Sequence, residues 1–230
     1  MKNIVKTLAF IVVFTTTINV NAQRQKPIIK TVGEFTELKV YDLINVQLIK
    51  GREDKVEISG ENAEKVVIIN KDGTLKIRLN LEESFDGNKT NVKLFYTGFD
   101  IIDVNEGAYV SSEEPISQFE VELKAQEGGL IKLNIETKET KIKTITGGIV
   151  ELTGKTDNQN VTIGTGGILK AESLESVNAK VAIRAGGEAY INATELLDIK
   201  IRAGGDVFIY GNPKEVKENT ALGGRIKRMN

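Results

Sequence analysis

The second half of the chain repeats one pattern of hydrophobic and polar residues about every 19 positions. Short runs in which every second residue is apolar are separated by Gly-Gly pairs. The pairs stand at 128–129, 147–148, 166–167, 186–187, 204–205 and 223–224, with spacings of 19, 19, 20, 18 and 19 residues. Period-two alternation predicts β-strands. A fixed period of this length predicts a solenoid, in which each repeat buries its apolar face against its neighbours.

Apolar residues keep one register when they are counted from the second glycine of each pair. Two residues after it stand Ile131, Val150, Leu169, Ala189, Val207 and Ile226. Six residues before it stand Leu123, Ile142, Val161, Val181 and Ile199. Each repeat therefore carries two short strands, and glycine suits the corner because it accepts positive φ and close backbone contact. The alternative is a β-sandwich with Gly-rich turns.

The predicted fold class is all-β: a parallel β-helix, or β-solenoid, of ~19-residue rungs with Gly-Gly corners, preceded by a strand-rich N-terminal part. Residues 23–100 form that N-terminal part, continuous with the solenoid at 101–230, because alternating strands already occur between residues 28 and 100. Asp72-Gly73 predicts a hairpin within it. Gly107-Ala108 takes the place of a first, imperfect glycine pair.

Residues 1–22 are typical of a signal peptide. Lys2 and Lys6 precede an apolar run, 8–13, and Val20-Asn21-Ala22 offers small residues for cleavage before Gln23. The apolar run is too short to span a membrane, and no later segment is typical of a transmembrane helix. We therefore expect an exported protein, located in the periplasm, on the outer-membrane surface or outside the cell.

Composition removes several kinds of chemistry. The chain has no Cys and no His, so disulfides, thiolate nucleophiles and histidine bases are excluded. Thirty-one basic residues against 32 acidic ones leave no basic excess for nucleic acid. No cofactor and no metal site are predicted.

Several motifs in order resemble a known family. They are GEFTELKVYDLINVQLIKGREDKVEISG (33–60), the repeated GG corners, GGDVFIYGNPKEV (204–216) and LGGRIKR (222–228). Together they are similar to the head GIN domain family of auto-transporter adhesins, over roughly residues 29 to 228. The resemblance implies a secreted or envelope-associated β-solenoid of the Bacteroidetes type and supplies no catalytic residues. This chain has Gly-Gly where the family more often has Gly-small-Gly corners.

Charged residues repeat beside two corners. Arg184-Ala-Gly-Gly-Glu188 and Arg202-Ala-Gly-Gly-Asp206 stand on adjacent rungs. Glu188 and Asp206 would then lie about 5 Å apart, close to the separation of the two carboxylates of a retaining glycosidase. The alternative is a solvated ladder in which each arginine neutralises acids across the corner.

Two sets of hydrophobic residues are candidate contact surfaces. An aromatic cluster suits stacking on a sugar ring, although it would also serve to cap the core: Tyr190, Phe208 and Tyr210. An apolar strip, one residue after three corners, is a candidate protein interface unless a loop or the N-terminal strands cover it. Its members are Leu130, Ile149 and Ile168.

The sequence favours an exported non-catalytic β-solenoid that acts as a binding, adhesion or envelope-structural module. Candidate partners are a cell-surface glycan, an envelope protein or a second copy of the chain. The alternative is a polysaccharide-cleaving enzyme on the same scaffold, with Glu188 and Asp206 as its acids.

Overall fold

The computed structural model describes residues 26–229, so the predicted signal peptide at 1–22 lies outside the described residues. The structure is a β-solenoid of about seven turns, which confirms the predicted fold class. The strands are β1 (Ile28–Thr31), β2 (Glu37–Val40), β3 (Asn45–Lys50), β4 (Lys55–Gly60), β5 (Val66–Lys71), β6 (Thr74–Leu79), β7 (Thr90–Tyr96), β8 (Ile101–Val104), β9 (Tyr109–Ser112), β10 (Ile116–Ser117), β11 (Glu120–Ala125), β12 (Leu130–Ile145), β13 (Ile149–Gly164), β14 (Ile168–Ile183), β15 (Glu188–Ala203), β16 (Asp206–Tyr210), β17 (Glu215–Leu222) and β18 (Arg225–Arg228). Two short 3₁₀ helices occupy Ala63–Lys65 and Leu81–Glu83.

Each central rung is one bent strand of 16 residues. In β12, buried side chains alternate up to Thr137 and resume one position out of phase at Thr140. The strand therefore bends at 138–139, and its two halves belong to two separate ladders. The two predicted strands per repeat are the two halves of this bent strand, and the glycine pair forms the other corner of the coil.

The predicted columns are confirmed as in-register ladders. Leu123, Ile142, Val161, Val181 and Ile199 are successive partners across parallel strands. None of these five side chains is more than 3% exposed. The ladder from Ile131 through Val150, Leu169, Ala189 and Val207 to Ile226 is likewise continuous. One buried apolar cluster includes these columns and the N-terminal strands.

The N-terminal segment adds rungs in an order that differs from the sequence. Strands β2 and β3 pair in parallel with β8 and β9 on one side and with β6 and β7 on the other. Strands β5, β4 and β1 then pair antiparallel at that end. The corner between β2 and β3 has no glycine pair: Asp42 and Leu43 adopt positive φ there. Buried Asp42 accepts hydrogen bonds from the amides of Leu79 (2.9 Å) and Phe85 (3.1 Å). The domain division at residue 100 stays a prediction.

At the first three glycine pairs the second glycine is required by close stacking rather than by its φ, whereas at the last three pairs the second glycine also has a positive φ. A Cβ on Gly148 would stand 2.0 Å from the carbonyl oxygen of Ala125 in the preceding rung. A Cβ on Gly147 would meet nothing within 4 Å, but its φ is +72°. The two glycines therefore satisfy different requirements of the same corner.

The C-terminal rung ends three of the apolar ladders with polar residues. Glu218 stands opposite Ile199, Thr220 opposite Ile201, and Arg228 opposite Ile209. Inward polar and charged residues on an edge strand oppose further strand addition. In residues 26–229, no helix combines the length and apolarity needed to cross a membrane.

Candidate binding site

The ladder that follows the glycine corners brings most candidate residues to one outer face. We call the two outward rows nearest the glycine corner the corner column and the central column. The corner column reads Tyr109, Leu130, Ile149, Ile168, Glu188, Asp206 and Arg225. The central column reads Lys132, Glu151, Lys170, Tyr190, Phe208 and Lys227.

Two of the three predicted aromatic residues stack directly on each other. The ring centroids of Tyr190 and Phe208 are 4.6 Å apart, and their planes differ by 17°. Each ring therefore covers one face of the other, and a sugar could stack only on a remaining face. The Tyr190 hydroxyl donates to Glu188 Oε2 at 2.9 Å, and this hydrogen bond raises the pKa of Tyr190. Tyr210 lies two residues beyond Phe208, outside the stack.

The two candidate catalytic acids are neighbours, but one carboxylate is already paired. Glu188 and Asp206 are partners on adjacent rungs. Arg225 donates to Asp206 through Nε (2.9 Å to Oδ1) and Nη2 (2.5 Å to Oδ2). This pairing lowers the pKa of Asp206, whereas the general acid of a glycosidase has a raised pKa. The arrangement favours a charge ladder over an acid–base pair.

The arginines of that ladder differ from those singled out in the sequence. Arg184 and Arg202 are exposed side chains on the opposite side of the corner, before the glycine pairs. Arg225 supplies the guanidinium that pairs with Asp206. Its position, one residue after the last glycine pair, is the same as that of Asp206 after the previous pair, and this register could have revealed it.

The predicted apolar strip is contiguous. Leu130, Ile149 and Ile168 are successive partners in the corner column, and Tyr109 extends the strip by one rung. All four side chains are half-buried. Their use as an interface stays a prediction.

Two depressions lie along the central column, with the aromatic stack between them. The first has a volume of about 300 Å³, and its lining includes Lys132, Glu151, Lys170 and Glu172. The second, of about 460 Å³, is lined by Phe208, Arg225, Ile226 and Lys227. The first depression was not predicted from the sequence, although the 20-residue spacing between the third and fourth glycine pairs indicates an extra residue in that rung.

Comparison with known proteins gives a family and a fold. A family model described as "Putative auto-transporter adhesin, head GIN domain" matches residues 34–213. A crystal structure of a "putative adhesin" from Bacteroides fragilis superposes with a TM-score of 0.79 at 17% identity, covering 89% of this chain and 98% of that one. No protein with a curated description matches significantly.

Two structures from Parabacteroides distasonis are also similar. A "putative adhesin" has a TM-score of 0.72 at 17% identity, with 88% of this chain and 96% of that chain covered. A "putative lipid binding protein" has a TM-score of 0.64 at 18% identity, with 90% and 98% covered. At these identities the likeness concerns the fold. The family match spans most of the chain, and this protein therefore belongs to the head GIN domain family.

Proposed function

We propose that this protein is an exported, non-catalytic adhesion module that binds polysaccharide along the outer face of its coil. Membership of an adhesin family and the adhesin-like structural neighbours support the general class. The choice of polysaccharide as ligand comes from the chemistry of the central column. Repeat scaffolds commonly present such extended binding surfaces.

One observation carries the proposal: the Tyr190–Phe208 stack lies between two depressions on a single straight column. Successive rungs are about 4.8 Å apart. A linear polymer lying along the coil could therefore contact both depressions and the stack between them. Tyr190 leaves the second face of Phe208 available, and Phe208 borders the larger depression, so we assign sugar stacking to that face.

Cleavage of the bound chain is not part of the proposal. Both carboxylate oxygens of Asp206 accept hydrogen bonds from Arg225, which lowers the pKa of that carboxyl. Glu188 accepts a hydrogen bond from Tyr190 instead of facing a free site. Glu188 is thus engaged with Tyr190, and Asp206 with Arg225.

Export is tested by processing. The full chain, expressed in a Bacteroides host with its own first 22 residues, should be recovered with Gln23 as its N-terminal residue. Mass spectrometry of the purified protein gives the answer. Recovery of the uncleaved chain in the cytoplasm would refute export.

Binding is tested with residues 23–230 on an array of purified bacterial surface polysaccharides. We expect Phe208→Ala to weaken binding on the order of tenfold, because one stacking face is lost. Phe119→Ala is the matched control, since Phe119 is 70% exposed and lies beside the bend at 138–139 rather than at the glycine corner. Equal losses in both variants, or release of shortened glycans from the array, would contradict the proposal.

A further inference from the structure

One rung of the coil is longer than its neighbours. Glu151, Lys170 and Tyr190 are partners, as are Asn158, Asn178 and Leu196. Between those two sets, β13 has six residues (152–157), β14 has seven (171–177) and β15 has five (191–195). The register shift locates the extra residue of β14 just after Lys170, where two consecutive residues, Glu172 and Ser173, point outward.

Hydrogen bonds hold this bulge in place. Asn192 Nδ2 donates to the Glu172 carbonyl at 3.1 Å, and Ser176 Oγ donates to the Asn192 carbonyl at 2.6 Å. Thr194 Oγ1 donates to the Ser176 carbonyl at 3.3 Å. Leu174, in the middle of the bulge, is fully buried. The segment is therefore a fixed feature, and bulges of this kind re-aim side chains beside binding sites.

The bulge places a carboxylate at the edge of the first depression. Glu172 lines that depression, and its Oε2 is buried without a hydrogen-bond partner among the described residues. An unpaired buried acceptor costs free energy, so a hydrogen-bond donor that pairs with it is favoured. Hydroxyl and amide side chains line the same depression: Asn134, Thr153 and Ser173.

The charges around the depression balance. Glu151 is paired with Lys170 (2.8 Å) and with Lys132 (3.7 Å). Glu172 supplies the second negative charge, so the two lysines and two glutamates that line the depression sum to zero. A neutral ligand rich in hydroxyl donors suits this balance better than an anion or a metal cation. A volume of about 300 Å³ lies at the small end of ligand clefts and fits a single ring.

We propose that this depression is a subsite for one neutral hexose unit, with the Glu172 carboxylate accepting a hydrogen bond from a sugar hydroxyl. The inference rests on the proposed function and deepens it, because it assigns a second contact point to the same polysaccharide. The bound unit lies next to Lys170, one rung before Tyr190 in the central column. The polymer then continues over the aromatic stack towards Phe208.

The test is a titration of ¹⁵N-labelled residues 23–230 with glucose, galactose, mannose and N-acetylglucosamine, each added separately. At least one sugar should shift the amide signals of residues 153, 172 and 173 in a saturable manner. Glu172→Gln should weaken that binding by about fivefold or more, because a charge-assisted hydrogen bond is lost. Glu175→Gln is the matched control, since Glu175 is an exposed acid on the same bulge whose nearest lysine, Lys155, is 3.9 Å away.

The outcomes separate this subsite from the proposed function. Sugar-induced shifts confined to the surroundings of Phe208 would overturn the subsite and leave polysaccharide binding standing. Lack of any shift at 172–173 with all four sugars, or equal affinities of Glu172→Gln and the natural chain, would also overturn it. Calcium chloride that shifts residues 172–173 when the sugars do not would show a cation site instead. The array, with Phe208→Ala, judges the proposed function independently.

Discussion

Val161→Asp tests whether the inward columns are buried away from water. Val161 is 3% exposed and stands between Ile142 and Val181 in the ladder. The substitution gives up the burial of a valine, worth about 1.5 kcal/mol, and leaves a polar group unpaired in the core, at about 1 to 3 kcal/mol. We therefore expect the free energy of unfolding to fall by about 3 kcal/mol or more. Thr162→Asp, the next position on the same strand, points outward and should change it by less than about 0.5 kcal/mol.

Urea unfolding followed by circular dichroism measures both variants, and pH provides a second signature. Burial without a partner raises the pKa of the new Asp in the folded state. The folded Val161→Asp variant then binds more protons than the unfolded chain, so its deficit relative to Thr162→Asp should shrink as the pH falls from 7 towards about 4. Equal midpoints for the two variants, or a deficit that does not depend on pH, would refute the inward assignment.

Three further changes give separate expectations. Arg225→Ala should raise the NMR titration midpoint of Asp206 towards its ordinary value of 3.8. In the natural chain, the Arg225–Asp206 pair stabilises the fold at pH values above 3.8. This stabilisation is lost as the pH falls through the lowered pKa of Asp206. An unchanged midpoint would contradict the pairing. Gly147→Ala should cost about 1 kcal/mol through its φ alone, and Gly148→Ala clearly more, in the same urea assay; the reverse order would refute the stacking argument. Gln159→Leu should stabilise the chain by about 1 to 2 kcal/mol, because both polar atoms of this buried amide have no partner among the described residues; a loss of stability would show that internal water satisfies them.

The solenoid could be predicted from the sequence because its two signals are local and periodic. Alternation identifies the inward side chains, and the glycine pairs set the register, so the ladder through Val161 followed from counting alone. The rungs at 37–50 and 74–96 could not be found in this way. Their corners use other residues, such as Asp42, and their order along the coil depends on long-range pairing.

The candidate site was predictable as a set of columns but not as contacts. The register brings Tyr190 opposite Phe208 and Glu188 opposite Asp206. Ring orientation and the choice of Arg225 as partner depend on side-chain rotamers, which periodicity does not determine. The 20-residue spacing indicates that one rung has an extra residue. The spacing does not determine that this residue lies at 172–173.

Disulfide trapping between rungs tests the in-register stack most directly, because the natural chain contains no cysteine. Thr162 and Ala182 are partners on adjacent strands, and Lys200 is the next partner beyond Ala182. Thr162→Cys with Ala182→Cys should close a disulfide on mild oxidation, whereas Thr162→Cys with Lys200→Cys, two rungs apart at about 10 Å, should not. Mass spectrometry of the folded proteins reads the result. Closure of the second pair, or failure of the first, would contradict the stacked coil on which the proposed binding face depends.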